Sequence, residues 1–338
     1  LKLPSPDSVS GVRMADQGDD KEAYRWHWLI ENNRAEDDFS RMIDALKLLG
    51  DRNVGPTELA EVVDPDQWLR AFAVTILTGI GDNYSGGSQH NGIFYTRPSD
   101  NRVLYLPWDM DFSFTQGATS SLTTNTEQRK LMQDPANERT YYGHVLDIVT
   151  TTFNANYMDP WIDHFDELVP GQSHFQTFKS YINRRSEFAL GRIEAAIPNV
   201  PFTTTTPGPI DVGDASTVQL AGTGWVDIRE FRLAGSEIPL QAQWTTPSDW
   251  QLDVPVSSGT QDVVLEAYGF QGDLIGSITV NVTSSGSSAV RDSLRISELN
   301  YNPLSNIDSH RWTDNDEFEF VELINIGSTP IDLGGVQL

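Results

Sequence analysis

The sequence predicts a mixed α+β chain of several domains, in which a mainly helical region precedes β-rich segments. Up to about residue 198, apolar residues recur at three- and four-residue spacings, the period of helices with one buried face. From residue 210 onward, apolar and polar residues alternate between recurring turn residues, which is typical of strands. The length of 338 residues exceeds that of one ordinary domain of about 100–200 residues. We therefore expect two or three domains.

Four segments of the first region predict helices, at 37–49, 66–77, 141–153 and 175–196. The second follows an Asp-Pro start signal and is apolar along most of its length, which predicts a buried helix. Between it and the third helix, residues 92–95 and 103–106 have the composition of strands, and a Pro-Ser-Asp-Asn turn lies between them. This part of the chain therefore predicts a helical domain, residues 1–198, that contains one small β-hairpin.

The second half predicts all-β domains separated by linkers. Residues 199–209 are rich in Pro and Thr and predict a linker, and residues 210–283 alternate as a β-sandwich does. A Ser-rich second linker covers 284–292, followed by strands predicted at 294–299, 317–324 and 331–338. Three strands are too few for a sandwich of about seven, so we interpret 293–338 as a truncated domain. Because the chain starts at Leu1 without a leader and ends within a strand pattern, we expect it to be a fragment of a longer protein.

Composition argues against several classes of function. The net charge of −25 would repel a phosphate backbone, so no nucleic-acid partner is expected. No apolar run approaches the about 18–20 residues of a transmembrane helix, so no membrane span is predicted. The absence of cysteine excludes a disulfide scaffold and a thiolate zinc site.

Polar residues that could carry chemistry concentrate in two stretches, 81–92 and 104–114. If residues 104–111 continue as one strand, Asp109 and Asp111 lie on the same face. Two converging carboxylates favour a bound cation, and oxygen ligands suit Mg²⁺, Mn²⁺ or Ca²⁺. Asn91 can add a carbonyl oxygen, and Asp82 can accept a hydroxyl proton or orient a substrate. These four residues form the candidate site.

The order Asp, Asn, strand pair, Asp matches the arrangement that kinases use for phosphoryl transfer. Asp82 and Asn91 are nine positions apart, a spacing that departs from the ordinary protein-kinase pattern. Asp-x-Asp pairs also occur in turns and at strand ends, so a purely structural role for Asp109 and Asp111 stays open at this point. For His90, a role in the site and a role in shaping the loop are both open.

Two motifs, Gly-Asp-Asn-Tyr followed by His-Asn at 81–91 and Leu-Pro-Trp-Asp-Met-Asp-Phe-Ser-Phe at 106–114, resemble the CotH kinase family of spore-coat-type atypical kinases. The resemblance covers residues 1–198 and implies a kinase-like large lobe. It implies that Asp82 is the catalytic-loop aspartate, that His90 and Asn91 contact the cofactor, and that Asn91, Asp109 and Asp111 hold the metal. The implied activity uses ATP with Mg²⁺ or Mn²⁺ and transfers the γ-phosphoryl group to Ser or Thr hydroxyls of a protein substrate.

One requirement of kinase chemistry lacks a match in the sequence. Kinases hold the α- and β-phosphates with a lysine borne on a strand of the small lobe. Only Lys2, Lys21 and Lys47 precede the loop that carries Asp82, and none lies in an apolar strand pattern. We therefore expect that the small lobe and its ATP-binding lysine precede Leu1 in a longer protein. We also expect that the isolated fragment has no kinase activity. The alternative is a catalytically silent metal-binding module of an extracellular bacterial adhesion or scaffold protein.

Residues 295–303 and 316–325 resemble the start of the lamin-tail domain, an Ig-like sandwich. Kinase-like, sandwich and lamin-tail modules together are typical of large exported bacterial proteins. The resemblance therefore implies a secreted or cell-surface protein whose β-modules bind an extracellular protein or another surface ligand.

Overall fold

The computed structural model describes residues 14–25, 28–51, 53–86, 91–169, 171, 174–286, 289–301, 319–331 and 333. Within these ranges the chain combines helices with antiparallel sheets, so the predicted mixed α+β class is confirmed. The helices are α1 Lys21–Arg25, α2 Ser40–Gly50, α3 Pro56–Val62, α4 Pro65–Thr78, α5 Thr126–Leu131, α6 Pro135–Thr151, α7 Ala155–Leu168, α8 His174–Ala196 and α9 Ala289–Ser293. None of them combines the length and the apolar character that crossing a lipid bilayer requires.

The strands form four antiparallel or mainly antiparallel sheets. Their bounds are β1 Gly92–Thr96, β2 Val103–Pro107, β3 Thr203–Thr204, β4 Ile210–Asp211, β5 Thr217–Thr223, β6 Glu230–Leu233, β7 Pro239–Leu240, β8 Gln243–Trp244, β9 Asp249–Pro255, β10 Gly259–Tyr268, β11 Leu274–Ser284, β12 Leu294–Asn300 and β13 Phe320–Asn325. The four predicted helices correspond to α2, α4, α6 and α8, and the predicted hairpin corresponds to β1 and β2.

Helix α4 is the buried centre of the helical region, as its apolar sequence predicts. The side chain of Asp64 accepts a hydrogen bond from the Gln67 backbone N–H at 3.1 Å and caps the N-terminus. The helix ends at Gly79, whose left-handed conformation (φ 60°) suits glycine. Because one side of α4 meets the hairpin and another meets α6, its position determines where the loop after Gly79 lies.

The β1–β2 hairpin is bound to α4 by side-chain hydrogen bonds. Gln67 accepts from the Tyr105 N–H at 3.0 Å and donates to the Tyr105 carbonyl at 2.7 Å, and Trp68 Nε1 donates to the Val103 carbonyl at 2.8 Å. Phe94 and Tyr105 pair across the hairpin and pack against Trp68 in the core. The hairpin is therefore held against α4, and the polar loop leads from the C-terminus of that helix to the start of β1.

Residues 104–111 do not continue as one strand, so the condition under which Asp109 and Asp111 would share a strand face is not met. Strand β2 ends at Pro107, which has no N–H to donate to a further ladder bond. Asp109 then adopts a left-handed conformation (φ 55°), and Met110–Phe112 form a 3₁₀ turn. Asp109 and Asp111 are therefore displayed by a turn rather than by one face of a strand.

Residues 203–284 form two sheets that share one apolar core. One sheet has the strand order β4-β11-β10-β6-β7 and the other has β3-β5-β9-β8. Leu220 and Trp250 from the second sheet pack with Phe231 and Leu265 from the first. Strand β3 lies inside the stretch predicted as a linker and pairs with β5, so part of 199–209 belongs to the sheet.

Beyond Ser284 the chain forms α9 and the β12–β13 hairpin. Helix α9 begins within the stretch predicted as a second linker, 284–292, and ends one residue beyond it. The strands predicted at 294–299 and 317–324 correspond to β12 and β13. The first two residues of the second predicted strand, 317 and 318, lie outside the described residues. The strand predicted at 331–338 lies almost wholly outside the described residues.

Candidate active site

The loop that follows α4 is joined by backbone hydrogen bonds to the turn that follows β2. Phe114 N–H donates to the Thr78 carbonyl at 2.7 Å, and Gly81 N–H donates to the Phe112 carbonyl at 3.2 Å. Gly81 and Phe112 directly precede and follow the two predicted aspartates Asp82 and Asp111. The fold therefore brings the two sequence motifs side by side.

Asn83 is the buried centre of this loop, with a fully covered side chain. Its Oδ1 accepts from the Ser85 hydroxyl at 2.9 Å and from the Tyr105 hydroxyl at 2.5 Å, and its Nδ2 donates to the Asn91 carbonyl at 2.9 Å. Sequence reasoning quoted Asn83 within the motif but assigned it no role. The sequence feature that could have indicated such a role is an asparagine between Asp82 and the aromatic Tyr84. A buried amide side chain can both donate and accept hydrogen bonds.

Asn91 is also buried, with 4% of its surface exposed, and it contacts Asp82 directly. Its Nδ2 lies 3.1 Å from the Asp82 carbonyl oxygen and 3.3 Å from Asp82 Oδ2. The other carboxylate oxygen, Oδ1 of Asp82, is buried and has no hydrogen-bond partner in the described structure. A buried carboxylate oxygen without a donor is costly, so this atom suits a cation or a substrate hydroxyl.

Asp109 directly follows Trp108, the residue that extends the pairing of the hairpin by one bond beyond Gly92 and Pro107. The Trp108 N–H donates to the Asn91 carbonyl at 3.1 Å, which places Asp109 one residue from that contact. Asp109 and Asp111 are both exposed. The structure thus brings Asp82, Asn91 and Asp109 onto adjoining segments, with Asp111 farther along the 3₁₀ turn. His90 lies outside the described residues.

The oxygen donors of this arrangement suit a hard divalent cation. Both recorded side-chain bonds of Asn91 are made by Nδ2, which leaves Oδ1 as its potential ligand atom. Across the described ranges, no group of three histidine or acidic side chains is close enough to form a metal cage. Mg²⁺ differs from cage-bound metals because it keeps several waters and binds through one or two carboxylates. The donor set therefore fits Mg²⁺ or Mn²⁺ bound by Asp109, Asn91 and water.

A second layer of buried polar residues supports the loop from the side of α5. Tyr84 donates to Glu127 Oε2 at 3.1 Å, and Asn125 Nδ2 donates to the Tyr84 carbonyl at 2.9 Å. Burial raises the pKa of Glu127 and the pKa of Tyr84. Neither Asn125 nor Glu127 was predicted as important, because they are more than thirty residues from the motif that they support.

A cavity of about 570 Å³ lies between residues 30–42 and the outer face of the hairpin. Ile93, Tyr95 and Leu106 line it on the hairpin side, and Arg41 and Met42 line it on the other. Ile93 is two residues from Asn91, and Leu106 is three residues from Asp109. A cavity of mixed polarity, whose lining also includes Glu31, Glu36 and Asp38, therefore lies near the candidate site.

The lysines in the described part of the chain are engaged elsewhere. Lys21 pairs with Asp37 at 2.8 Å, Lys179 pairs with Asp163 at 2.6 Å, and Lys47 pairs with Asp19. Lys130 is buried and donates to the carbonyls of residues 49 and 51.

A loop aspartate held beside a buried asparagine, then a hairpin, then a turn with a second aspartate is a kinase-like arrangement. The family comparison agrees with this class, because residues 7–187, more than half of the chain, match the family described as CotH kinase protein. The chain belongs to the CotH kinase family, and the matched range includes Asp82, Asn91 and Asp109.

Comparisons beyond the family add little. No curated protein matches the chain. A crystal structure described as an engineered protein is similar at 16% identity with a TM-score of 0.20. This similarity covers 34% of the chain and 28% of the engineered protein, so it carries no argument about fold or function.

Proposed function

We propose that this chain is the large-lobe part of an atypical protein kinase that transfers the γ-phosphoryl group of ATP to Ser or Thr hydroxyls. The observation that supports the proposal most strongly is the buried, unpartnered Oδ1 of Asp82, whose other carboxylate oxygen lies 3.3 Å from Asn91 Nδ2. Kinase catalysis consists mainly of positioning and electrostatic stabilisation, which a carboxylate held in this way can supply.

In the proposed reaction, Asp82 accepts a hydrogen bond from the substrate hydroxyl through Oδ1 and then accepts its proton as the oxygen attacks phosphorus. Asn91 holds the Asp82 carboxylate through Oδ2 and, with Asp109, holds the divalent cation, with Asp111 beside it. When bound, Mg²⁺ or Mn²⁺ neutralises charge on the ATP phosphates. Asn83 acts as a positioning residue, because its bonds to Tyr105 and Asn91 hold the loop against the hairpin.

The 570 Å³ cavity is the proposed place for the adenosine part of ATP. Its volume lies within the range of small-molecule sites, and Ile93, Tyr95 and Leu106 give it an apolar wall for a flat base. Asn91 and Asp109, which are close to this wall along the chain, would then face the phosphates.

We further propose that the lysine that contacts the phosphates comes from a small lobe upstream of Leu1. The engagement of Lys21 and Lys47 in ion pairs away from the site supports this proposal. The isolated chain would then be inactive, and the activity would belong to the full-length parent protein.

Transfer of label from γ-labelled ATP to protein by the full-length parent tests the function. We expect Asp82→Asn to reduce labelling by about 10²-fold or more, because general-base catalysis contributes that much. Asp253→Asn, at an exposed carboxylate of β9, is the matched control and should label as the parent does. Equal labelling by the D82N and parent proteins would refute the role of Asp82.

The second candidate is a catalytically silent metal-binding module of an extracellular scaffold. The lysine pairing favours it, because no lysine in the described part of the chain is placed for phosphate binding. Absence of label in parent and D82N, together with retained Mg²⁺ binding, would establish this alternative.

For the β-rich region, we propose an Ig-like sandwich followed by the first strands of a lamin-tail domain, in a secreted or cell-surface bacterial protein. The shared core of the two sheets and the exposed apolar side chains of the β12–β13 hairpin support this proposal. These modules would bind an extracellular protein or surface ligand. Detection of the parent protein on intact bacteria by an antibody against residues 203–284 tests the location, and signal only after lysis would refute it.

A further inference from the structure

Arg185 is a buried cation of helix α8 that the proposed reaction does not use. Only 1% of its surface is exposed. Its guanidinium donates to the carbonyls of Ile76 at 2.8 Å, Ala118 at 3.2 Å and Ser120 at 2.5 Å. These acceptors are neutral, so the bonds satisfy donors without neutralising the charge.

The charge of Arg185 has no carboxylate partner within the described part of the chain, and it is balanced there only by the carbonyl at the C-terminal end of α4 and by the Phe188 ring, 5.7 Å away. No ion pair joins Arg185 to a carboxylate there, and the ionisable groups that influence it are Tyr181 and Tyr141. Burial lowers the pKa of Arg185, which reflects the cost of covering a cation. In addition, its Nε is buried and has no acceptor among the described residues. A buried cation without an anionic partner is costly, and a bound anion would lower that cost.

A cavity of about 30 Å³ adjoins this guanidinium. Besides Arg185, its lining includes hydroxyl side chains, at Ser85, Ser120, Ser121 and Thr124. A water molecule needs about 10–15 Å³ of such space, so the cavity accommodates one monatomic ion or about two waters. A phosphate or carboxylate ligand is too large for it.

We propose that this cavity is a chloride site, in which Arg185 supplies the charge and the hydroxyls of Ser120 and Ser121 donate hydrogen bonds. The hydroxyls of Ser85 and Thr124 already donate to Asn83 Oδ1 and to the Ser85 carbonyl. Ile80 and Gly86, which flank Asp82 and Asn83, also line the cavity. A chloride ion here would therefore stabilise the loop of the candidate active site without taking part in a reaction. The proposal is independent of the kinase activity.

Thermal unfolding of the full chain at constant ionic strength tests the site, with sodium chloride replacing sodium gluconate. Binding to the native state alone gives a rise of Tm that grows with the logarithm of the chloride concentration, by about 2 °C for each tenfold increase above the dissociation constant. Bromide should act as chloride does. Coincident Tm values in chloride and gluconate would overturn the proposal.

Arg185→Met should abolish the chloride effect, and Arg139→Met should retain it. Arg139 is the matched control because it is also a buried arginine that donates to backbone carbonyls. If R185M fails to fold, anomalous diffraction from bromide-soaked crystals of the natural chain decides. A bromide peak within hydrogen-bond distance of the Arg185 guanidinium supports the site, and peaks only elsewhere would show adventitious ions only and refute it.

Discussion

At the scale of single residues, burial separates positions that look alike in the sequence. Asp82 and Asn83 are adjacent polar residues of one loop, yet Asn83 is wholly covered and fully hydrogen-bonded while Asp82 keeps one oxygen without a partner. The first stabilises the loop, and the second is the residue for which we propose a role in the chemistry. Composition could select the loop, but only the contacts could assign these different roles.

Asp109 and Asp111 are both exposed, but only Asp109 is adjacent to the residue that bonds to the Asn91 carbonyl, and this difference is testable. Because Asp109 adjoins the Trp108–Asn91 contact, we expect it to be the main metal ligand. Millimolar Mg²⁺ or Mn²⁺ should raise the Tm of the full chain by mass action, and Asp109→Asn should remove most of that rise.

Asp111→Asn is the matched control and should retain most of the metal-dependent rise in Tm. Differential scanning calorimetry with and without metal measures both variants. An unchanged Tm of the parent chain in metal, or a larger loss in D111N than in D109N, would contradict this assignment.

At the scale of elements, the end of α4 determines the direction of the loop that carries Asp82. Gly79 is required there because a Cβ at this position would lie 1.9 Å from Tyr181 Oη, in addition to the strain of φ 60°. The helix therefore ends against α8, and Tyr181 fills the space that the missing side chain leaves.

We expect Gly79→Ala to lower the free energy of unfolding by roughly 2–5 kcal/mol, from backbone strain and steric overlap together. Gly213→Ala is the control, because Gly213 has a similar φ of 62° but open space around its Cβ. It should cost only about 1 kcal/mol. Urea unfolding of both variants gives the comparison, and equal losses would show that the contact with Tyr181 is unimportant.

At the scale of the whole molecule, the helical and β-rich regions pack closely across the predicted linker. Trp225 Nε1 donates to the Ile197 carbonyl at 2.9 Å, and Val226 belongs to the core of the helical region. Asp66 forms two bonds with Arg229, at 2.7 and 3.0 Å, and lies 2.8 Å from His144 Nε2. Although burial opposes it, these two partners hold the pKa of Asp66 below its ordinary value.

Arg139 is a buried polar side chain at the interface between the helical and β-rich regions, with 3% of its surface exposed. It donates to the carbonyls of Trp225 at 2.9 Å and Ile228 at 2.7 Å and stacks over the Trp244 ring. We expect Arg139→Met to lower the free energy of unfolding by about 2–4 kcal/mol, because carbonyls that lose their donors stay buried.

Calorimetry of the full chain measures this effect and also tests the coupling of the two regions. We expect residues 14–286 to unfold in one main transition in the natural chain and in two separated transitions in R139M. Arg232→Met, at a β6 side chain paired with Glu230, is the control and should keep a single main transition. Two transitions in the natural chain would show that the regions unfold independently despite the contact.

The sequence by itself predicted four of the described helices, the β1–β2 hairpin, the mixed α+β class and the two motifs of the candidate site. These features depend on periodicity, turn residues and motif order, all of which are local. The tertiary structure decided that β2 ends at Pro107, that Asn83 supports Asp82, and that Arg139 joins the helical and β-rich regions. Those outcomes depend on contacts between residues far apart in the chain, where packing and the satisfaction of buried polar groups select one arrangement from several that the local pattern allows.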